Sequence, residues 1–192
     1  GLAAPAESVQ LTITVFLAGF SLGMLFYGPI SDRYGRRTVM LSGIALFAMA
    51  SLACVLASNV SQLIAARFLQ ALGGGAASVL ARAVVRDVYT PTEAIRKLSL
   101  MAMVTAIAPL LAPVLGSVLL DYLSWRATFA ALLGWGLLSL GVVWFQLPET
   151  LPAERRGQLS LRDAFAAYGT LLRDPVAIGL LLAGGMSFAA MF

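Results

Sequence analysis

The chain contains no histidine, only one cysteine and few charged residues. Without histidine it offers no imidazole to a metal or catalytic site, and Cys54 alone cannot form an internal disulfide. Charged residues make up 11% of the chain, whereas a soluble domain carries roughly a quarter. Hydrophobic residues make up 60%. This composition predicts that much of the protein surface faces lipid.

Long uncharged runs predict an all-α, polytopic membrane helix bundle. Crossing a bilayer takes roughly 20 apolar residues. Five runs are long enough, and the helices predicted from them cover residues 9–30, 38–57, 62–88, 98–120 and 127–148. Residues 1–148 are therefore interpreted as one transmembrane bundle of five spans.

Residues 149–174 differ from the rest of the chain, because charged and turn-forming residues return there. Ser160 and Asp163 have the spacing of a capping box, and apolar residues follow them at helical spacing. This predicts a water-exposed linker that contains a short helix on the membrane surface. Residues 175–192 are apolar again and predict the start of another membrane helix.

The basic residues set the expected orientation. Arginine and lysine concentrate in three connections, at residues 31–38, 86–97 and 149–174. The alternate connections hold none, between residues 58 and 62, or only Arg126. The positive-inside rule therefore predicts that the three basic connections are cytoplasmic.

Small residues recur at spacings that allow close helix packing. Gly19 and Gly23 lie four residues apart, and Gly73–Gly75 are consecutive. In lipid, such residues let two backbones approach closely. Membrane helices are also rich in glycine in general, so both interpretations stay open at this point.

Several motifs resemble those of the major facilitator superfamily. The stretch Gly28-x-Ile30-x-Asp32-Arg33-x-Gly35-Arg36-Arg37 is similar to the signature between the second and third helices of that family. Further similarities, to the fourth, fifth and sixth helices, lie in Arg67-x-x-Gln70, Ala112-Pro113-x-x-Gly116-Ser117 and Trp125-Arg126-x-x-Phe129. The Ala112–Ser117 pattern resembles the drug/proton antiporter branch. Together with residues 82–87, the set most resembles the bacterial Bcr/CflA drug-resistance transporters.

The resemblance implies a cytoplasmic gate that breaks as the two halves of a transporter rock. Its expected residues are Gly28, Asp32, Arg33, Gly35, Arg36 and Arg37. Asp32 near the end of a span needs a partner, and Arg36 is the local candidate, with Arg82 and Arg86 as longer-range ones. The alternative is a basic loop that only sets topology and carries an incidental acid.

Two more groups acquire expected roles from the resemblance. Arg67 and Gln70 share one helix face and would form a polar network implicated in proton coupling, although Arg67 could instead extend its side chain to the interface. The stripe of Ala112, Pro113, Gly116 and Ser117 would control leak and set the direction of export. Ordinary close packing is the alternative for that stripe.

The function implied is proton-coupled export of drugs or small metabolites across the bacterial inner membrane, by a multi-pass transporter; uptake of a nutrient such as a sugar is the alternative. The chain would be most of an N-terminal half without its first helix, which in the family carries the proton-binding acid. Asp32, Asp87 and Asp121 all lie near span ends. Expected partners are a small-molecule substrate, protons and the lipid bilayer, not nucleic acid, and the full-length protein is expected to be monomeric. The chain lacks the residues for an enzyme, so no catalytic residue, cofactor or metal is expected.

Overall fold

The computed structural model describes residues 6–152, 154, 156, 166 and 168–189. Five of its helices are long and apolar enough to cross a membrane, which confirms the predicted all-α membrane bundle. In chain order the helices are α1 (Ala6–Tyr34), α2 (Arg36–Leu56), α3 (Val60–Val88), α4 (Pro91–Tyr122), α5 (Trp125–Gln146) and α6 (Pro175–Ala189).

Helix α3 lies at the centre of the bundle, with α1 and α2 packed along it. Glycines allow these contacts, since a Cβ on Gly19 or Gly23 of α1 would lie 2.7 Å from a backbone oxygen of α3. A Cβ on Gly73 of α3 would lie 2.5 Å from the backbone nitrogen of Phe47 in α2. The close-packing interpretation is therefore confirmed for these glycines.

The remaining helices attach to this centre unequally. Helix α5 packs along α2, whereas α4 touches only small parts of α3 and α5. A buried apolar cluster joins α2 to α3 and consists of Val39, Met40, Ile44, Ala76 and Leu80. Most side chains of α4 are exposed. Helices α1, α2, α3 and α5 thus form the packed body, and α4 lies at its side.

The predicted loop at residues 31–38 is wrong in its extent. Helix α1 continues to Tyr34 and α2 begins at Arg36, so Gly35 alone separates them. Gly35 has φ of +96°, a conformation that side chains disfavour. The prediction placed the helix ends where charged residues interrupt the uncharged run. Charged residues do not end a helix, and here both helices continue beyond their apolar runs.

The predicted connection at residues 86–97 is shortened for the same reason. Helix α3 ends at Val88 and α4 begins at Pro91, seven residues before the predicted start. The backbone nitrogen and hydroxyl of Thr90 donate to Glu93 Oε2 at 3.2 and 2.7 Å. This capping interaction starts α4 while the sequence is still polar.

The linker is described only in part. Ser160 and Asp163, the predicted capping box, lie outside the described residues. Residues 168–171 are helical and immediately precede the turn into α6. The predicted surface helix therefore stays a prediction over most of its length.

Candidate functional site

Arg36, the first residue of α2, joins the ends of three helices. Its Nη1 lies 2.6 Å from Asp32 Oδ1 in α1, and its Nε lies 3.0 Å from Asp87 Oδ2 in α3. Nη1 also donates to Ser31 Oγ at 2.5 Å. The Arg36 side chain is 13% exposed. One guanidinium thus pairs with two carboxylates in a partly buried place, so one negative charge is left over between Asp32 and Asp87.

Glu149, which follows α5 in the sequence, is the last member of this cluster. Its Oε1 accepts hydrogen bonds from the backbone nitrogens of Arg36 at 2.9 Å and Leu151 at 3.1 Å. Its Oε2 lies 3.7 Å from Arg156 Nη2. Gly35 has no side chain to cap α2, and a Cβ there would collide with the Glu149 carboxylate. Glu149 therefore caps α2 from outside, where the positive end of the helix dipole favours an anion.

The other two arginines of the expected gate do not pair with Asp32 or Asp87. Arg37 donates from Nη2 to the Trp144 carbonyl at 2.8 Å and lies 5.5 Å from the centre of its ring, which attaches α2 to α5. Arg33 is exposed and lies over the ring of Tyr34. The Gly28 carbonyl accepts a hydrogen bond from Ser31 Oγ at 2.7 Å, while a Cβ on Gly28 would meet nothing within 4 Å. The motif therefore divides into residues that bind the two acids and residues that do not.

The structure does not bring either long-range candidate to Asp32. Arg82 donates to the backbone oxygen and hydroxyl of Ser78, at 3.0 and 2.9 Å, within its own helix. Among the described residues, Arg86 has no ion pair with Asp32. The next residue, Asp87, lies in the cluster instead. It adds a second carboxylate, whereas the prediction expected a second positive charge.

A second polar group lies inside the bundle around Arg67. Arg67 Nη1 donates to Gln70 Oε1 at 2.8 Å, and Gln70 Nε2 donates to Ser51 Oγ at 2.8 Å. Gln70 and Ser51 are fully buried. The guanidinium lies 4.1 Å from the ring centre of Phe16 and 5.7 Å from that of Phe129. Aromatic faces attract cations, so Arg67 is held by residues of α1, α3 and α5, and Gln70 connects it to Ser51 of α2.

Sequence reasoning placed Arg67 and Gln70 together but missed their other partners. Ser51 comes from α2, and the two phenylalanines come from α1 and α5. One of these partners could have been predicted, because Phe129 belongs to the motif Trp125-Arg126-x-x-Phe129 that the sequence shows.

The small residues of α4 face no described part of the chain. Ala112, Pro113 and Ser117 are exposed, and a Cβ on Gly116 would meet nothing within 4 Å. Close packing of this stripe is therefore not found among the described residues. Small residues permit a close approach, but they do not specify which surface makes it.

Within the ranges that the structure describes, no three residues of the types His, Cys, Asp and Glu gather as a metal site would require. Within each of the two clusters, the polar groups bond to one another. Both clusters contain bonds that join different helices and could be exchanged as the helices move.

The sequence comparisons match transport proteins. A model of the Major Facilitator Superfamily matches residues 1–192. The uncharacterized MFS-type transporter YdgK of Bacillus subtilis is 40% identical over 193 residues, which cover 100% of this chain and 48% of that protein. The bicyclomycin resistance protein homolog of Haemophilus influenzae is 32% identical over 97% of this chain and 47% of its own length. The multidrug resistance protein MdtL of Escherichia fergusonii is 40% identical over 79% of this chain and 39% of its own length.

Solved structures match the fold. The human organic anion transporter MFSD10 has a TM-score of 0.66 and 27% identity, over 80% of this chain and 35% of its own. A peptide transporter, POT, has a TM-score of 0.69 and 21% identity, over 95% of this chain and 38% of its own. The chain thus spans about half the length, or less, of the proteins that it matches.

Proposed function

The chain belongs to the Major Facilitator Superfamily, and from that premise we propose that it is most of the N-terminal half of a proton-coupled exporter of drugs or small metabolites. The family and the transporter relatives support a role in membrane transport. Two relatives are named for resistance to bicyclomycin and to multiple drugs, which supports export. In this proposal the whole protein acts as a monomer in the bacterial inner membrane.

The proposed division of the chain follows its helices. Residues 1–148 form the bundle, residues 149–174 form the cytoplasmic connection between the halves, and residues 175–192 open the second half. Transporters of this kind work by rocking two halves around a central site. A gate is therefore needed at each face of the membrane.

The observation that carries the proposal is the Arg36 cluster. Asp32 and Asp87 share one guanidinium, and Glu149 pairs with Arg156, so the cluster keeps one negative charge near the end of the bundle. We place the cytoplasmic gate there. A positively charged or helix-N-terminal group of the second half would pair with this charge when the gate is closed and leave it when the gate opens.

Arg67 is the proposed coupling residue. Its guanidinium is half-buried between two rings and tied through Gln70 to Ser51. A carboxylate on a helix that packs beside it would attract Arg67 while ionised and release it once protonated. Asp32, Asp87 and Asp121 lie near helix ends, so in this proposal the proton-binding acid lies outside this chain.

The small stripe of α4 is proposed to control leak. Ala112, Pro113, Gly116 and Ser117 present a surface without bulky side chains, and no described residue occupies it. A second helix can approach such a face closely enough to exclude water and protons.

Efflux measured in everted vesicles with the full-length protein tests the proposal. The test compounds are bicyclomycin, a lipophilic cation and a nucleoside. We expect accumulation of at least one of them in the vesicles when an inward-acid gradient is imposed, and its loss when a protonophore collapses that gradient. Accumulation of a sugar by intact cells, with no vesicle transport of any test drug, would contradict export and favour uptake.

A further inference from the structure

Pro29 leaves one backbone acceptor of α1 without its regular donor. It lies inside α1, one residue after Gly28. Proline has no N–H, so the carbonyl of Leu25, four residues earlier, cannot receive its usual helical hydrogen bond. A carbonyl that lies in or near the hydrocarbon region needs another partner, because water is scarce there.

Tyr168 supplies that partner from a distant part of the chain. Its hydroxyl donates to the Leu25 carbonyl oxygen at 3.1 Å. Tyr168 belongs to the helical residues 168–171, in the connection between α5 and α6. Tyrosine suits this position, since its ring can lie against apolar side chains while its hydroxyl finds a polar group.

The start of the same connection is also attached to the bundle. Leu151 is buried, and within the connection its carbonyl accepts two hydrogen bonds from Arg156, at 3.2 and 3.0 Å. Thr150 Oγ1 lies 3.4 Å from Asp87 Oδ2 in the Arg36 cluster. The connection therefore contacts the cluster at its beginning and α1 near its end.

We propose that residues 168–174, the described residues directly before α6, are a strap that closes onto α1 through the Tyr168–Leu25 hydrogen bond. Leu25 lies two turns of α1, about 10 Å, before Asp32. A helix bends most easily where a proline has removed a hydrogen bond. By filling the acceptor at that point, the strap holds α1, and with it Asp32, in the arrangement seen here. This inference rests on the described contacts and stands whichever substrate is carried.

Proteolysis of the strap in the full-length protein tests the proposal. Tyr168→Phe removes the hydroxyl and keeps the ring, and Tyr122→Phe, on the exposed tyrosine that ends α4, is the matched control. In nanodiscs, trypsin cleavage after Arg173, which lies in this segment, reports how often the strap is released. Losing one hydrogen bond of ordinary strength predicts cleavage about two- to ten-fold faster for Tyr168→Phe. Tyr122→Phe should match the wild type.

Pro29→Ala gives the second arm of the experiment. It restores an N–H that competes with Tyr168 for the Leu25 carbonyl, so cleavage should again rise. In the Pro29→Ala background, Tyr168→Phe should then add little. Wild-type cleavage of Tyr168→Phe, or a full additional increase in the Pro29→Ala background, would overturn the proposal. If Pro29→Ala does not fold, the comparison of the two tyrosine variants decides alone.

Discussion

At the scale of single residues, Arg36 bonds two carboxylates from different helices. Arg36→Gln removes the positive charge and leaves Asp32 and Asp87 facing each other, whereas Asp32→Asn removes one of two competing acids. We expect Arg36→Gln to lower the free energy of unfolding by about 1.5–3 kcal/mol, the range for hydrogen bonds to charged groups. Asp32→Asn should cost less. Thermal unfolding of the full-length protein in detergent gives the order, and the reverse order would contradict this account.

The backbone conformation of Gly35 allows a second prediction for a single residue. An alanine there must adopt φ near +96° and meet the Glu149 carboxylate. We expect Gly35→Ala to lower stability by about 1–3 kcal/mol. Gly28→Ala is the matched control, since its Cβ meets nothing within 4 Å and alanine favours a helix. Equal melting temperatures for the two variants would show that the geometry around Gly35 is not required.

Only part of the Arg36 cluster could be predicted from the sequence. Asp32 and Arg36 are four apart, so their pairing could be predicted from spacing. Asp87 and Glu149 could not, because they reach Arg36 across separations of 51 and 113 residues. Arg82 and Arg86 had the right charge and the right end of the bundle, but the direction of a side chain around a helix depends on packing that local sequence does not encode.

At the scale of helices, hydropathy predicted all five spans but not where they end. Lipid requires a run of apolar residues, and that requirement is written directly in the sequence. Beyond the apolar run a helix ends only at a turn or a cap, here Gly35 and the pair Thr90 and Glu93. Those are single-residue features within charged stretches, so the predicted loops were several residues too long.

The glycines of α3 give a prediction for helix packing. A Cβ on Gly73 would lie 2.5 Å from backbone atoms of α2, whereas one on Gly116 in α4 meets open space. We expect Gly73→Ala to separate α2 from α3 and lower the melting temperature by several degrees, while Gly116→Ala leaves it unchanged. An effect of Gly116→Ala on transport with normal stability would fit its proposed role in leak. Equal loss of stability in both variants would contradict the packing described here.

The ends of α2 give another prediction. Arg126 donates from Nε to the Val55 carbonyl and from Nη2 to the Ala57 carbonyl, both at 3.1 Å. A cation at the C-terminal carbonyls of a helix contributes about 0.3–1 kcal/mol. Arg126→Met should therefore speed hydrogen exchange in the last turn of α2 and spare its first turn, where Glu149 is the cap. Uniform exchange along α2 in both proteins would contradict this.

At the scale of the whole molecule, α3 connects the two polar clusters. Arg67 and Asp87 lie 20 residues apart on this helix, about 30 Å at its regular rise. Close packing against α1 and α2 makes α3 a stiff element. A change of contacts at Arg67 can thus shift Asp87 and the Arg36 cluster as one body, which is how we propose that proton binding and gating are linked.

The most direct test of the account is gradient-driven efflux in everted vesicles, comparing the full-length wild type with Arg36→Gln and Arg33→Gln at equal expression. Both variants lose one arginine of the same motif, but only Arg36 bonds the two acids. We predict that Arg36→Gln reduces the transport rate at least ten-fold, while Arg33→Gln keeps most of it. Wild-type transport by Arg36→Gln, or equal loss in both variants, would contradict a gate built on Arg36.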